Sequence, residues 1–141
     1  MVTTKRWNDP REESDGVRIL VTRYRPRALP KADETWDIWI RDLGPSAELH
    51  AAFYGKNGPR ISWSDYRVAY LREMKRATAA IRRIVELMSS GERVTLLCSS
   101  ACIHDDRCHR SILRGLIAEE AQRHRVTCAT HSSVGLVAHG D

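Results

Sequence analysis

Residues 94–110 read VTLLCSSACIHDDRCHR. The continuous run of apolar and branched residues up to Cys98 predicts a strand that is covered on both faces of a sheet. A polar loop should follow, and a helix is expected from about Asp106 to Gln122, with Ile112 and Leu113 facing inward. Because ligands of α/β proteins bind beyond the carboxyl ends of parallel strands, this order of elements predicts both a fold class and the place of a site.

The sequence around this stretch extends the same pattern. Branched residues predict two further strands, at 17–22 and 125–129. Apolar residues at helical spacing predict a helix at 33–43, a short helix after Ser46, and a long helix at 62–90. Alternating strands and helices indicate parallel pairing with right-handed crossovers. We therefore expect an α/β fold with three layers, in which helices flank a small, mainly parallel sheet.

Length and composition suit a globular protein. The chain has 141 residues, of which 42% are hydrophobic and 29% are charged, so residues 1–141 are predicted to form a single domain. No apolar run approaches the ~20 residues of a membrane helix, and the first residues lack the apolar core of a signal peptide. We therefore expect a cytoplasmic protein with no membrane partner. The net charge of +5 favours encounters with anions.

Three of the four cysteines lie within the opening stretch, at Cys98, Cys102 and Cys108. In a reducing compartment, such cysteines are expected to be thiols, metal ligands or catalytic groups rather than disulfides. Simple burial as small apolar side chains is the alternative explanation. Two known thiol chemistries do not fit. The spacing from Cys102 to Arg107 is one residue shorter than in the loop of a low-molecular-weight tyrosine phosphatase. Thioredoxin chemistry needs a Cys-x-x-Cys pair, and the sequence has none.

The predicted strand ends bring charged side chains to the same edge. Arg23 and Arg25 follow the first strand, Cys98 ends the second, and His131 follows the third. Arg110 lies in the first turn of the predicted helix, where free backbone N–H groups attract anions. These five residues are therefore predicted to bind a small anion or a phosphate-containing ligand.

The chemistry predicted for this site depends on a cysteine and a histidine. Cys108 is the predicted nucleophile, because a helix N-terminus and neighbouring arginines favour its thiolate. His109 is predicted to transfer protons, and His104 is an alternative for that role. The sequence does not decide whether the protein is an enzyme, nor which reaction it would catalyse.

A non-catalytic module is the alternative function. Cys98, Cys102, His104 and Cys108 could together hold a zinc ion, because thiolates two to four residues apart and imidazoles are usual zinc ligands. Nucleic acid is the other ligand considered, because basic residues follow the outer face of the 62–90 helix. A solvated helix face explains the same charges.

Several segments resemble the domain of unknown function 488 (DUF488) family, in its YeaO-like branch. The segments are 15–31, Asp37-Ile38-Trp39-Ile40 and 45–49, with the order and spacing of an arginine-proline-arginine element, an aspartate-x-tryptophan element and a proline-serine element. Cys108-His109-Arg110 is similar to a signature of other family members. The resemblance covers most of the chain and implies a compact α/β domain with a polar site, without implying a reaction.

The chain departs from that family at two places. YeaO-like proteins usually have Leu-Trp-Pro-Arg-Gly where this chain has residues 24–28, and an aspartate where Thr22 stands. If that aspartate contributes to a site in those proteins, Thr22 does not supply the same carboxylate in this chain.

Overall fold

The computed structural model describes residues 2–139, and it describes the side chains of 2–104 and 106–125. All four strands are parallel, in the order β1-β4-β2-β3 across the sheet. The strands are β1 (Val2–Arg6), β2 (Val17–Leu20), β3 (Ile38–Trp39) and β4 (Val94–Cys98). The central strand β4 is buried over its whole length, as its continuous apolar sequence predicts.

Among the described residues, three α-helices lie between β3 and β4, and a fourth follows β4. They are α1 (Ala47–Tyr54), α2 (Trp63–Met74), α3 (Thr78–Ser89) and α4 (His109–His139). Serines cap two of these helices: the Ser46 hydroxyl accepts a hydrogen bond from the backbone N–H of Leu49, and the Ser62 hydroxyl accepts one from the backbone N–H of Asp65. These bonds satisfy N–H groups that have no partner within the helix.

The helices and one face of the sheet share a hydrophobic core. Ile19 and Leu96 project from neighbouring strands into the same buried cluster as Ile84, Leu113 and Ile117 of the helices. Since side chains alternate between the two faces of a strand, the residues beside Ile19 and Leu96 face the other way. The predicted α/β fold, with a small parallel sheet flanked by helices, is confirmed.

The opposite face of the sheet has a polar interior. Arg18 is fully buried there, and its guanidinium donates hydrogen bonds to the Asp15 carboxylate at 2.8 Å and to the backbone carbonyls of Trp7 and Asp9. Lys5 forms a second ion pair with Asp15 at 2.8 Å. The segment between β1 and β2, which includes a 3-10 helix at Glu13–Asp15, therefore covers this face through charged hydrogen bonds.

The predicted helix at 33–43 is wrong. This segment contains β3 and two 3-10 turns, at Lys31–Asp33 and Arg41–Leu43. Asp37 exchanges backbone and carboxylate hydrogen bonds with Arg18, and the N–H of Ile40 donates to Leu20. Pairing with β2 thus overrides a weak helical periodicity.

Three other element predictions need correction. The predicted helix at 62–90 is two helices, because residues 75–77 form a turn in which the Thr78 hydroxyl bonds to the Lys75 carbonyl. The predicted strand at 125–129 lies within α4, because the chain continues the helical hydrogen bonding. The edge strand β1 was not predicted, because its Thr, Lys and Arg residues lack an apolar pattern.

Among the described residues, none of the helices combines the length and the apolar composition that crossing a membrane requires.

Candidate functional site: a thiol cluster beside a cationic pocket

A pocket of about 860 Å³ opens at the carboxyl edge of the sheet, where the sequence predicts the site. Its walls come from the ends of β1 and β4, the segment after β2, helices α1 and α2, and the loop and first residues of α4. The lining residues are Trp7, Thr22, Arg23, Tyr24, Arg25, Pro26, Arg27, Pro45, His50, Phe53, Tyr54, Lys56, Tyr66, Cys98, Ser99, Ser100, Cys102, Arg107, Cys108 and His109.

Three thiols meet at the base of this pocket. The Cys98 Sγ lies 3.3 Å from the Cys102 Sγ and 3.1 Å from the Cys108 Sγ. Cys98 and Cys108 are buried, whereas Cys102 is partly exposed. The end of β4 places Cys98, and the start of α4 places Cys108. We refer to these three residues as the thiol cluster.

His109 faces the thiol cluster with an unprotonated ring nitrogen. Its Nε2 lies 2.7 Å from the carbonyl oxygen of Val21, which can only accept, so Nε2 carries the proton. The Nδ1 lone pair then points to the Cys98 and Cys108 sulfurs, at 3.9 and 4.0 Å. Burial lowers the pKa of His109 and favours this neutral form. His109 is therefore a buried proton acceptor beside the thiols.

The three thiols have different acidities. Hydrogen bonds from Cys108 and Cys98 lower the pKa of Cys102 to about 3, and the nearby charge of Arg110 acts in the same direction. The hydrogen bond to Cys102 raises the pKa of Cys98, and burial adds to the effect. The interaction with Cys102 also raises the pKa of Cys108, to about 12. The negative charge of the cluster is thus favoured on Cys102, which accepts the S–H of Cys98, while Cys108 in turn donates to Cys98.

Positive charge dominates the pocket. The side chains of Arg27, Lys56 and Arg107 line the pocket and are exposed. Arg23 also lines it, and its Nε donates a hydrogen bond to the Pro45 carbonyl. The two terminal nitrogens of Arg23 make no hydrogen bond with any described residue. No aspartate or glutamate lines the pocket in the part of the chain that the structure describes. The wall is therefore suited to an anion.

The structure brings together most of the residues predicted to form the site. Arg23, Cys98, Cys108 and His109 line one pocket. Arg25 also lines it, but its guanidinium is paired with Glu34 at 2.8 Å.

Two predicted ligand-binding residues do not line the pocket in the described structure. Arg110 is buried behind the loop, where its Nη2 donates to the Cys102 carbonyl at 3.1 Å. Its Nε and Nη1 have no hydrogen-bond partner among the described residues, and its charge acts on Cys102. The side chain of His131 lies outside the described residues.

Helix α1 contributes residues that the sequence did not indicate. His50, Tyr54 and Lys56 come from α1 and the turn after it, and Tyr24 faces them from the segment after β2. The weak apolar pattern of residues 47–54 predicts a short packing helix and gives no sign of a pocket wall. The arrangement depends on long-range packing of α1 against α2, which local sequence does not specify.

The thiol cluster also contains a set of metal-ligand atoms. The sulfurs of Cys98, Cys102 and Cys108 all lie within 4.8 Å of one another. Tetrahedral zinc, with Zn–S distances near 2.3 Å, would need sulfurs about 3.8 Å apart, so a small outward movement would accommodate one ion. His109 Nδ1 could be a fourth ligand, with its other nitrogen fixed by Val21. His104 is exposed and is not part of this group.

Comparisons with known proteins agree with the resemblance. Residues 2–121 match a family described as "Active DUF488-N3 subclade". A protein of Escherichia coli (strain K12) named "Uncharacterized protein YeaO" is 35% identical over 99 residues, which are 70% of this chain and 83% of that protein. "Uncharacterized protein Mb3100c" of Mycobacterium bovis is 28% identical over 106 residues, or 75% of this chain and 84% of the relative. No solved structure matches.

Proposed function

The chain belongs to the DUF488 family, in the subclade described as active, and we propose that it is a cytoplasmic enzyme that binds a small anion and attacks it with a cysteine thiolate. One observation carries this proposal: the partly exposed Cys102 thiol, whose pKa its neighbours lower, opens into a pocket lined by cations and no described carboxylate. The word "active" in the description of the matched family supports the enzymatic interpretation.

Arg23 and Arg107 bind the anion in this proposal. Both line the pocket, and neither forms an ion pair with a described carboxylate. Guanidinium groups match the oxygens of phosphate or carboxylate with paired hydrogen bonds. Because the guanidinium of Arg25 is paired with Glu34, Arg25 shapes the pocket wall in this proposal and does not bind the anion.

Cys102 replaces Cys108 as the nucleophile of the proposal. Cys108 is 3% exposed and has a raised pKa, whereas Cys102 is partly exposed and has a lowered one. Cys98 donates its S–H to Cys102 and Cys108 donates to Cys98, and the neutral His109 Nδ1 lies beside both donor sulfurs as an acceptor. Cys108 and His109 thus keep roles in proton positioning beside the attacking sulfur.

The covalent step is a substitution at the electrophilic atom of the ligand. A bond forms from Cys102 Sγ to that atom, and the leaving group departs with the bonding electron pair and takes a proton from water. A second water then cleaves the sulfur bond, which restores the thiolate and releases a proton. The cations hold the anionic part of the ligand during both steps.

Anion binding tests the proposal with inorganic phosphate as the probe. We expect Arg23→Gln and Arg107→Gln each to weaken phosphate binding about tenfold, because each removes a charged hydrogen bond. Calorimetric titration at low salt measures the affinities. Arg114→Gln is the matched control, since Arg114 is exposed on α4 and does not line the pocket. Equal affinities in all four proteins would contradict the assigned binding site.

Metal binding is the second candidate function, and the three neighbouring sulfurs with the Nδ1 lone pair favour it. If the cluster is a metal site, the purified protein should contain one zinc ion per chain, and added cobalt should give a thiolate-to-metal absorption band. Cys98→Ser should abolish that band and His104→Ala should preserve it. A metal-free protein that gives no such band would rule this function out.

A further inference from the structure

The pocket has more room than an inorganic anion needs. Its volume of about 860 Å³ lies in the range of sites that enclose a drug-sized organic ligand, roughly 300–1,000 Å³. The anion that binds beside the thiol cluster should therefore carry an organic part that fills the remaining space. The chemistry of the wall indicates what this part is.

Aromatic rings form the wall beside the cations. His50 lies between two tyrosines, with its ring centroid 5.1 Å from that of Tyr24 and 4.7 Å from that of Tyr54. Burial lowers the pKa of His50, and the charge of Lys56 adds to the effect, so the ring is neutral. These three neighbouring rings line the pocket, and we call them the aromatic wall.

The exposure of the aromatic wall is unusual in this protein. Tyr24 is 53% exposed and Tyr54 is 37% exposed, and they are two of four large hydrophobic side chains that are exposed in the described structure. The other two, Val68 and Ile103, do not line the pocket. Large apolar side chains that remain exposed around a pocket often mark a binding surface.

We propose that the pocket binds a nucleoside phosphate, with the base stacked on the aromatic wall and the phosphate held by Arg23 and Arg107. This inference rests on the proposed anion site and adds the class of ligand. Planar bases stack on aromatic side chains, while guanidinium groups bind phosphate oxygens. Lys56 belongs to both regions, since it lines the pocket and its charge acts on His50. The ligand therefore spans from the aromatic wall to the thiol cluster.

Calorimetric titration with nucleoside 5′-monophosphates, ribose 5-phosphate and the free nucleosides tests this inference. We expect at least one nucleotide to bind about tenfold more tightly than ribose 5-phosphate, because stacking of the base adds to phosphate binding. The double variant Tyr24→Ala/Tyr54→Ala should remove the higher affinity for nucleotides and leave the affinity for ribose 5-phosphate unchanged. The corresponding phenylalanine variants should retain it, and Val68→Ala is the control for loss of an exposed apolar side chain.

The outcomes separate the ligand class from the proposed function. Equal binding of nucleotides and ribose 5-phosphate would overturn the nucleoside assignment while leaving the anion site intact. No binding of any phosphate compound would overturn both. A 5′-phosphorylated trinucleotide distinguishes two sources of the same chemistry: tighter binding than the mononucleotides would identify the end of a nucleic acid, and weaker binding would identify a free nucleotide. Either result supports the nucleoside phosphate unit.

Discussion

Replacing Cys102 with serine should remove the thiolate that the thiol cluster holds at pH 5. In a Cys128→Ser background, the parent protein should show the 240 nm absorbance of one thiolate at that pH, because the pKa of Cys102 is lowered to about 3. An ordinary thiol with a pKa near 8.5 is ionised to only about 0.03% there. The Cys102→Ser protein should therefore lose this absorbance.

The Cys102→Ser substitution should change the rate of alkylation less than it changes the thiolate absorbance. The lowered pKa increases the ionised fraction about 3,000-fold at pH 5. It also reduces the intrinsic reactivity of the sulfur by about 300-fold, for a Brønsted coefficient near 0.45. We therefore expect Cys102→Ser to slow iodoacetamide modification about tenfold at pH 5. The parent rate should be almost constant from pH 5 to 8, whereas an ordinary thiol gains about tenfold per pH unit.

Two substitutions of Cys108 provide the matched control. Cys108→Ser retains a hydrogen-bond donor and should keep the Cys102 thiolate, whereas Cys108→Ala removes the donor and should raise the pKa of Cys102. The opposite pattern, in which Cys108→Ser removes the thiolate and Cys102→Ser keeps it, would assign the charge to Cys108. That result would restore the nucleophile predicted from the sequence.

Arg18→Ala should lower the free energy of unfolding by about 3 kcal/mol, at the lower end of the cost of removing one partner of a buried ion pair, because Lys5 still pairs with Asp15. Arg18 is fully buried, and its loss would take one of two cations from Asp15 and leave the carbonyls of Trp7 and Asp9 without its hydrogen bonds. Urea denaturation of the variant and the parent protein measures the difference. This change is large relative to the total stability of an ordinary domain.

The matched control for Arg18 is an exposed ion pair. Arg11 and Asp37 are joined at 3.1 Å, but their side chains are 49% and 44% exposed. Arg11→Ala should therefore cost less than about 1 kcal/mol. Similar losses for the two alanine variants would contradict the importance assigned to burial.

Acid should act through the same network. Burial raises the pKa of Asp15, but hydrogen bonds from Lys5, Glu12 and Arg18 outweigh it, and the net pKa is lowered. A lowered carboxyl pKa stabilises the folded state above the unfolded value near 3.9, and this contribution is lost as the pH falls through the folded value. The network thus weakens only in strong acid.

The sequence was most informative where burial is continuous. The apolar run at 94–98 predicts the central strand correctly, and the position of Cys98 at its end predicts the edge that carries the pocket. The serine caps of α1 and α2 were also predictable, because they depend on residues only three positions apart.

Features that depend on distant partners were not predictable in the same way. Ile38–Trp39 became a strand because β2 supplies its hydrogen bonds, and Cys102 became the acidic thiol because the fold places Cys98 and Cys108 beside it. The choice of Cys108 used the effect of a helix N-terminus and of the neighbouring arginines. The contacts among the sulfurs of Cys98, Cys102 and Cys108 outweigh that effect. These contacts cannot be inferred from the spacing of the cysteines in the sequence. The cytoplasmic location remains a prediction.

The hydrogen bond from His109 to the Val21 carbonyl gives the protein a mechanical link between two functions. Arg23 follows Val21 by two residues, so one short backbone segment joins the proton acceptor of the thiol cluster to the anion-binding guanidinium. If a ligand shifts this segment, we expect the imidazole to move with it and the acidity of the sulfurs to change. Because such coupling is reciprocal, ionisation of the sulfurs would then alter the affinity for the ligand by the same factor.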